Sequence, residues 1–381
     1  MTVYHPGLEF ALVALVAAAG CFIATPLARF VAIKWGAIAR PRERDVHAVA
    51  IPRMGGVALF VGFCLAMFLA ARLPALRGSF SNGAEMTWVL IAAALICAVG
   101  VLDDRYELDS LTKLAGQISA TGVMVTKGGV QIANFWFPGY GTVSLGRDLA
   151  IPVTIALTVL TINAVNFIDG LDGLAAGVTA ITAGAFFLFS YHLSRDGYLD
   201  VTAAPTLLTA ALAGTCLGFL PYNFWPARIF MGDSGSMLVG LILSASATTA
   251  TTNADPQAFS GALGSFPLLL PLLIPVAVLG LPFIDLVLAV IRRVRRGQSP
   301  FAPDKQHLHH RLLKLGHSHR RAVLLLYFWA ALLSFGGVAF SIIRGPWVLV
   351  VLLSVGLLVG IVVSAVPRLR GRSRSGSAAA L

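Results

Sequence analysis

Three short stretches of the chain hold oxygen-bearing side chains at spacings that suit cation and phosphate chemistry. Asp103 and Asp104 stand side by side in "LDDRYELDSLTK" at the end of an apolar run, where an unpaired carboxylate loses several kcal/mol of hydration. Adjacent carboxylates repel, so the pair calls for a cation or a shared proton; the simpler reading is a solvated helix end with Arg105 as counter-ion. "NFIDGLDGLAAG" adds Asn166, Asp169 and Asp172 at intervals of three, which places them on one face of a helical turn. Its glycines let a phosphate or base approach the backbone, and it lacks the alternate acids and closing Glu of an EF-hand. "MGDSGS" sets Asp233 at the start of another apolar run, a predicted helix N-terminus with backbone donors for an anion. Its likeness to the GDSGG of trypsin-like proteases is a chance match in a multi-span chain, and Ser236 breaks the G-x-S-x-G pattern.

Asp and Asn oxygens suit a hard cation, Mg²⁺ or Mn²⁺, which bridges a few protein carboxylates to substrate phosphates. Arg53, Lys113, Arg228 and Lys305 would neutralise a diphosphate. The reaction class is metal-assisted phosphoryl or prenyl transfer. "DKQHLHHRLLKLGHSHRR", Asp304 to Arg321, adds five histidines among Lys and Arg. His307 and His310 share a helical face with Arg311 and Lys314, whereas His309 points elsewhere. A three-histidine zinc site therefore requires a non-helical backbone, and no Cys stands nearby. The stretch reads as a basic loop gripping phosphate or sugar, with a solvated lipid-facing segment as the plain alternative.

The elements that must position these groups span a membrane. The chain has 381 residues, 57% hydrophobic and 12% charged, with mean hydropathy +0.83, which excludes an ordinary soluble domain. About eleven apolar runs are long enough to cross a bilayer; they lie between Phe10 and Val366, and the least apolar is Leu111 to Thr126. The predicted fold is an all-α integral membrane protein, one multi-span domain over residues 1–366 followed by a basic, disordered cytoplasmic tail at 367–381. No Lys or Arg precedes the first run, which argues against a signal peptide, and "AAGC" at Ala18 to Cys21 is a weak match to a lipoprotein site. Cys21, Cys64, Cys97 and Cys216 all fall in apolar runs and read as small buried hydrophobes.

Most of the 28 Lys and Arg fall in loops on one side if the N-terminus is outside and the C-terminus cytoplasmic. Every polar cluster above then lies on the cytoplasmic face of the plasma membrane, and "KGGVQIANFWFPGYGTVSLGRD" becomes a small extracytoplasmic β-hairpin. The net charge of +11 is accounted for by this loop bias and by attraction to anionic membrane lipids, so no nucleic-acid partner is expected. Asp285, within an apolar run about two turns from Arg292, reads equally as a functional group and as a buried structural hydrogen-bonder.

Together the five inside loops, "PRERDVHAVAIPRMGG", "LDDRYELDSLTK", "NAVNFIDGLDG", "YNFWPARIFMGDSGS" and the histidine stretch, resemble the polyprenyl-phosphate N-acetylhexosamine-1-phosphate transferases over roughly residues 9 to 366. "HLHH" is similar to the N-acetylglucosamine-1-phosphate branch; Leu308 departs from the three consecutive histidines usual in the phospho-N-acetylmuramoyl-pentapeptide branch. "PRERDVH" and "PRMGG" look like the actinobacterial enzymes that use decaprenyl phosphate and begin the arabinogalactan linker. The resemblance implies attack of polyprenyl phosphate, decaprenyl or undecaprenyl, on the β-phosphorus of UDP-N-acetylglucosamine, with release of UMP. It implies Asn166 and Asp233 as Mg²⁺ ligands, and Asp103 and Asp104 as catalytic groups that orient or deprotonate the lipid phosphate or join the metal shell. It also implies Asp169, Asp172, Asn223 and Phe230 around the nucleotide, and Arg53, Lys305, His307, His309 and His310 on phosphate or sugar. A homodimer is left open.

Two other classes compete. An aromatic-acceptor prenyltransferase also uses two Asp-rich loops, but requires neither "MGDSGS" nor "HLHH". A secondary transporter fits the span count, but its site would lie near the midplane between repeated halves, and the chain shows no internal repeat.

Overall fold

Long apolar runs become helices, three of them with a proline inside (Pro26, Pro152 and Pro221), because in hydrocarbon backbone N–H and C=O groups must be satisfied within the protein. The computed structural model describes residues 6–39, 50–81, 84–137, 141–197, 199–200, 204–253, 294–295, 297, 318–342, 350–351 and 353–360. Its helices are α1 (Pro6–Trp35), α2 (Gly55–Ala70), the short α3 (Gly78–Ser81), α4 (Glu85–Tyr106), α5 (Ser110–Gly128), α6 (Arg147–Ile168), α7 (Leu174–Arg195), α8 (Ala204–Asn223), α9 (Gly232–Asn253) and α10 (His319–Ile342). Six of them, α1, α4, α6, α7, α8 and α10, are long and apolar enough to cross a membrane. The expected run near residue 278, with Asp285, and the tail 367–381 lie outside the described residues, as do Lys305, His307, His309 and His310.

The helix at the centre is not among those six. Nearly every residue of α9 is buried, and it packs on α2, α4, α6 and α8. It is rich in Ser, Thr, Ala and Gly, with Leu238, Leu241, Ile242 and Leu243 among them, because its neighbours are helices rather than lipid and small residues let backbones approach closely. The hydroxyls of Ser246, Thr249 and Thr251 donate one turn back, to the carbonyls of Ile242, Ala245 and Ala247. Ser244 instead donates across to Thr158 of α6 at 2.9 Å.

α5, the least apolar of the predicted runs, forms over Ser110–Gly128 for local reasons. The Asp109 side chain caps it, accepting from the amides of Leu111 and Thr112 at 3.0 Å each, and Gly129 closes it at φ 70°. Its buried face carries Gln117, Thr121 and Met124. The Asn163 side chain of α6 donates to the Gln117 carbonyl at 2.8 Å, so the Gln117 amide that dilutes this run is paired across to α6.

Two small antiparallel pairings join the helices. The predicted hairpin forms as β3 (Asn134–Phe137) and β4 (Gly141–Ser144), with Asn134 opposite Ser144. The other, β1 (Ile38–Ala39) with β2 (Ile51–Pro52), has no alternation long enough to be read from sequence. It closes the "PRERDVH" loop at its base and delivers Arg53 and "PRMGG" to the α9 start: Phe230 donates to the Pro52 carbonyl at 2.8 Å, and Gly56 to that of Met231 at 3.0 Å.

Candidate active site

α4 carries Asp103 and Asp104 in its last turn, followed by Arg105 and Tyr106. Carboxylates there oppose the helix dipole, so each needs an external partner, and successive residues on a helix diverge by about 100°. The two therefore separate. Asp104 turns to the first turn of α9, accepting from the Asp233 amide at 2.9 Å, the Ser234 amide at 3.2 Å and the Ser234 hydroxyl at 2.6 Å. The backbone donors predicted for an external anion are thus occupied by an internal carboxylate. Gly232 makes room for it: its φ is +71°, and a Cβ there would lie 2.5 Å from the Asp104 carboxylate.

Asp103 turns to Lys113 and Asp233. The Lys113 ammonium lies 2.9 Å from Asp103 Oδ2 and also bonds Asp233. The cation beside Asp103 is therefore Lys113 rather than the adjacent Arg105. Asp103 Oδ1 is buried with no hydrogen-bond partner.

The "NFIDGLDG" stretch does not continue as one helical face. α6 stops at Ile168 with Asp169 as its C-cap, and Gly173, at φ +77°, opens α7; the glycines of the turn end the helix. Asn166 and Asp169 stay at the cluster, where the Asn166 amide donates to Ser236 at 2.9 Å and its side chain also interacts with Asp233. Asp172 leaves it and accepts from the Ala227 amide at 2.8 Å. Asn223 is buried, accepting from the Gly173 amide at 3.1 Å and donating to the Ile229 carbonyl at 3.0 Å. Asp172 and Asn223 thus tie the 169–173 turn to the loop between α8 and α9. Arg53 reaches Glu107 at 4.0 Å and lies close enough to influence the Asp169 carboxyl. Phe230 is half-buried just before α9.

The site comes from the ends of α4, α5, α6 and α9 and the turns between them, and the comparisons with known proteins meet on it. The model for "Glycosyl transferase family 4" matches residues 86–251, from α4 to α9. "Decaprenyl-phosphate N-acetylglucosaminephosphotransferase" of Mycolicibacterium smegmatis is 50% identical over 365 residues, 95% of this chain and 89% of that protein. The protein of that name from Mycobacterium tuberculosis H37Rv is 50% identical over 341 residues, 89% of this chain and 84% of its own. "Undecaprenyl-phosphate alpha-N-acetylglucosaminyl 1-phosphate transferase" of Haemophilus influenzae is 30% identical over 318 residues, 82% of this chain and 81% of its own. The chain belongs to glycosyl transferase family 4.

In this transferase, the donor set decides which kind of metal would fit. No group of three or more His, Cys, Asp or Glu among the described residues forms a ready-made metal cage. Asp103 Oδ1, Asp233 and Asn166 instead offer a few hard oxygens, one of them without a partner, which suits an ion that completes its shell with water and substrate phosphate. The residues fit Mg²⁺ or Mn²⁺ in that mode.

Asp169 supplies a pH prediction. Burial, with Asp233, Asp104 and Asp172 nearby, pushes its carboxyl up to about 8, against a smaller lowering by Arg53. Between its ordinary value and about 8, the folded transferase holds a proton here that the unfolded chain does not, so stability falls as pH rises through that window. Melting temperatures in detergent from about pH 5 to about pH 9 should show this fall, and Asp169→Asn, which mimics the protonated carboxyl, should flatten it. An unchanged slope in Asp169→Asn would reject the assignment.

Lys113 is the residue that sequence reasoning undervalued, as one of several phosphate-neutralising cations. The available signal was its place in the first turn after the Asp109 cap, where a cation opposes the helix dipole and calls for an acidic partner.

Proposed function

We propose that the protein transfers N-acetylglucosamine-1-phosphate from UDP-N-acetylglucosamine to a polyprenyl phosphate, decaprenyl or undecaprenyl, as the first step of a cell-wall glycopolymer. An oxygen of the lipid phosphate attacks the β-phosphorus, the bond from that phosphorus to the α–β bridging oxygen breaks, and UMP leaves with that oxygen. The observation that carries this reading is the Lys113 ammonium set between Asp103 and Asp233. That cluster supports a reading in which a cation and Lys113 together neutralise substrate phosphates, and it sits in a chain whose relatives are named for this transfer to decaprenyl and undecaprenyl phosphate.

A divalent ion, when bound, supplies charge neutralisation between two anions that otherwise repel. Asp233 and Asn166 would hold it, with Asp103 Oδ1 as a further oxygen. Lys113 meets the diphosphate, and Asp103 orients the lipid phosphate or takes its proton. Asp104 acts through α9 by keeping Asp233 in place. Asp169 and Phe230 face the nucleotide, Phe230 by stacking on uracil, while Asp172 and Asn223 shape that pocket through the backbone they hold. Arg53, Lys305, His307, His309 and His310 complete the phosphate and sugar contacts. Catalysis rests on positioning and charge neutralisation. The loop bias supports a site on the cytoplasmic face of the plasma membrane, with an outside N-terminus and the lipid substrate arriving from the bilayer.

The deciding experiment presents the purified protein with polyprenyl phosphate and a panel of UDP-sugars, including UDP-N-acetylmuramoyl-pentapeptide, and scores UMP. Release from UDP-N-acetylglucosamine alone, abolished by chelator, is expected. Turnover of only the pentapeptide would move the chain to the peptidoglycan branch, and no metal-dependent UMP from any donor would reject the transferase reading.

A further inference from the structure

The second half of the histidine stretch has no part in the proposed chemistry, yet its end, His319–Arg321, enters α10 against the α8–α9 loop that Asp172 holds. The His319 ring stacks on Trp225 with centroids 4.2 Å apart and an interplanar angle of 23°. Arg320 Nη2 donates to the Trp225 carbonyl at 3.4 Å. Two turns further on, the Tyr327 hydroxyl donates to the Gly173 carbonyl. Its ring fits where α7 carries no side chain: a Cβ at Gly177 would lie 2.0 Å from Tyr327 Cζ.

These contacts converge on one residue, Gly173. The Gly173 amide donates to Asn223, and Asn223 donates on to Ile229; the Gly173 carbonyl receives Tyr327 from the other side. Asp172, one residue earlier, accepts from Ala227. The 169–173 turn is thus held by the α8–α9 loop on one side and by α10 on the other. Packing alone would need only the Tyr327 ring in its glycine notch, whereas the hydroxyl reaches the turn itself.

We infer that Tyr327 is a positioning residue whose hydroxyl fixes the Asp169–Gly173 turn, so that α10 links the histidine stretch to the nucleotide side of the site. The inference rests on the reading of that turn as nucleotide-facing. Tyr327→Phe keeps the ring in the notch and removes only the hydroxyl. In full-length protein in detergent, it should raise the KM for UDP-N-acetylglucosamine roughly five- to tenfold, the worth of one hydrogen bond, with the KM for polyprenyl phosphate and the melting temperature little changed. Hydrogen exchange at the Gly173 and Ala227 amides of the ligand-free protein should quicken by a similar factor. Unchanged exchange overturns the inference, as does an equal change in both KM values. If Tyr327→Phe does not accumulate, Arg320→Gln, which cuts an exposed tether from α10 to Trp225 in the α8–α9 loop that Asp172 also holds, is read in the same way. Should the unsubstituted protein release no UMP, the transferase reading falls on its own, and the exchange measurement still decides the role of Tyr327.

Discussion

Asp104→Ala is expected to destabilise the protein by about 3 kcal/mol or more and to lower turnover at least ~100-fold, because it strands three donors, two of them buried, and a buried donor costs about 1–3 kcal/mol when unpaired. The donors are the Asp233 amide, the Ser234 amide and the Ser234 hydroxyl. All three sit in the first turn of α9, so losing their acceptor frees the element that carries Asp233. Asp103→Asn is the contrast. It keeps the side-chain shape and a carbonyl oxygen for Lys113, so stability should stay within about 1 kcal/mol of the parent while turnover falls by a comparable ~100-fold. Thermal unfolding in detergent and UMP release, measured on both variants, separate an anchor from a reacting group. If Asp104→Ala melts like the unsubstituted protein and loses only activity, Asp104 acts on substrate directly and its anchoring role is wrong.

The second large effect belongs to Lys113. Its ammonium occupies the place between Asp103 and Asp233 where a divalent ion would find its oxygens. Lys113→Met leaves two facing carboxylates with no cation between them. A unit charge at about 4 Å is worth roughly 1–4 kcal/mol at the effective dielectric of a protein surface or of water. Binding of Mn²⁺ as a stand-in for Mg²⁺ should therefore tighten about tenfold, while turnover drops ~100-fold or more as the diphosphate loses a positive partner. Calorimetric or spin-resonance titration with Mn²⁺ gives the first quantity, and UMP release the second. Weaker Mn²⁺ binding with unchanged turnover would mean that Lys113 serves folding alone.

Both predictions turn on geometry that the residue pattern only partly reveals. "LDDRYELDSLTK" shows two acids in need of a cation, but the neighbour in sequence, Arg105, is the obvious choice, and the real partner lies across the α4–α5 turn. "NFIDGLDG" shows three oxygen-bearing residues at helical spacing, yet the helix ends at Ile168. Asn166 and Asp169 stay in the cluster, whereas Asp172 turns to Ala227. Hydropathy reads lipid contact, so it recognises α1 or α4 easily. It undervalues α5 and α9, where most polar side chains pair with other helices or with their own preceding turns. The β1–β2 pairing that places Arg53 is two residues long on each side, too short for any alternation to register.

The sequence by itself determined the membrane class, the polar loops that carry the chemistry and the preference for oxygen ligands, because hydrocarbon, charge and ligand hardness act through residue type and local order. Only the tertiary structure decided that Asp104 anchors α9 while Asp103 meets Lys113, and that α10 reaches the Gly173 carbonyl through Tyr327. Neighbouring side chains on a helix leave it in directions about 100° apart, so which partner each one meets depends on which helix packs there, and that belongs to the folded bundle as a whole.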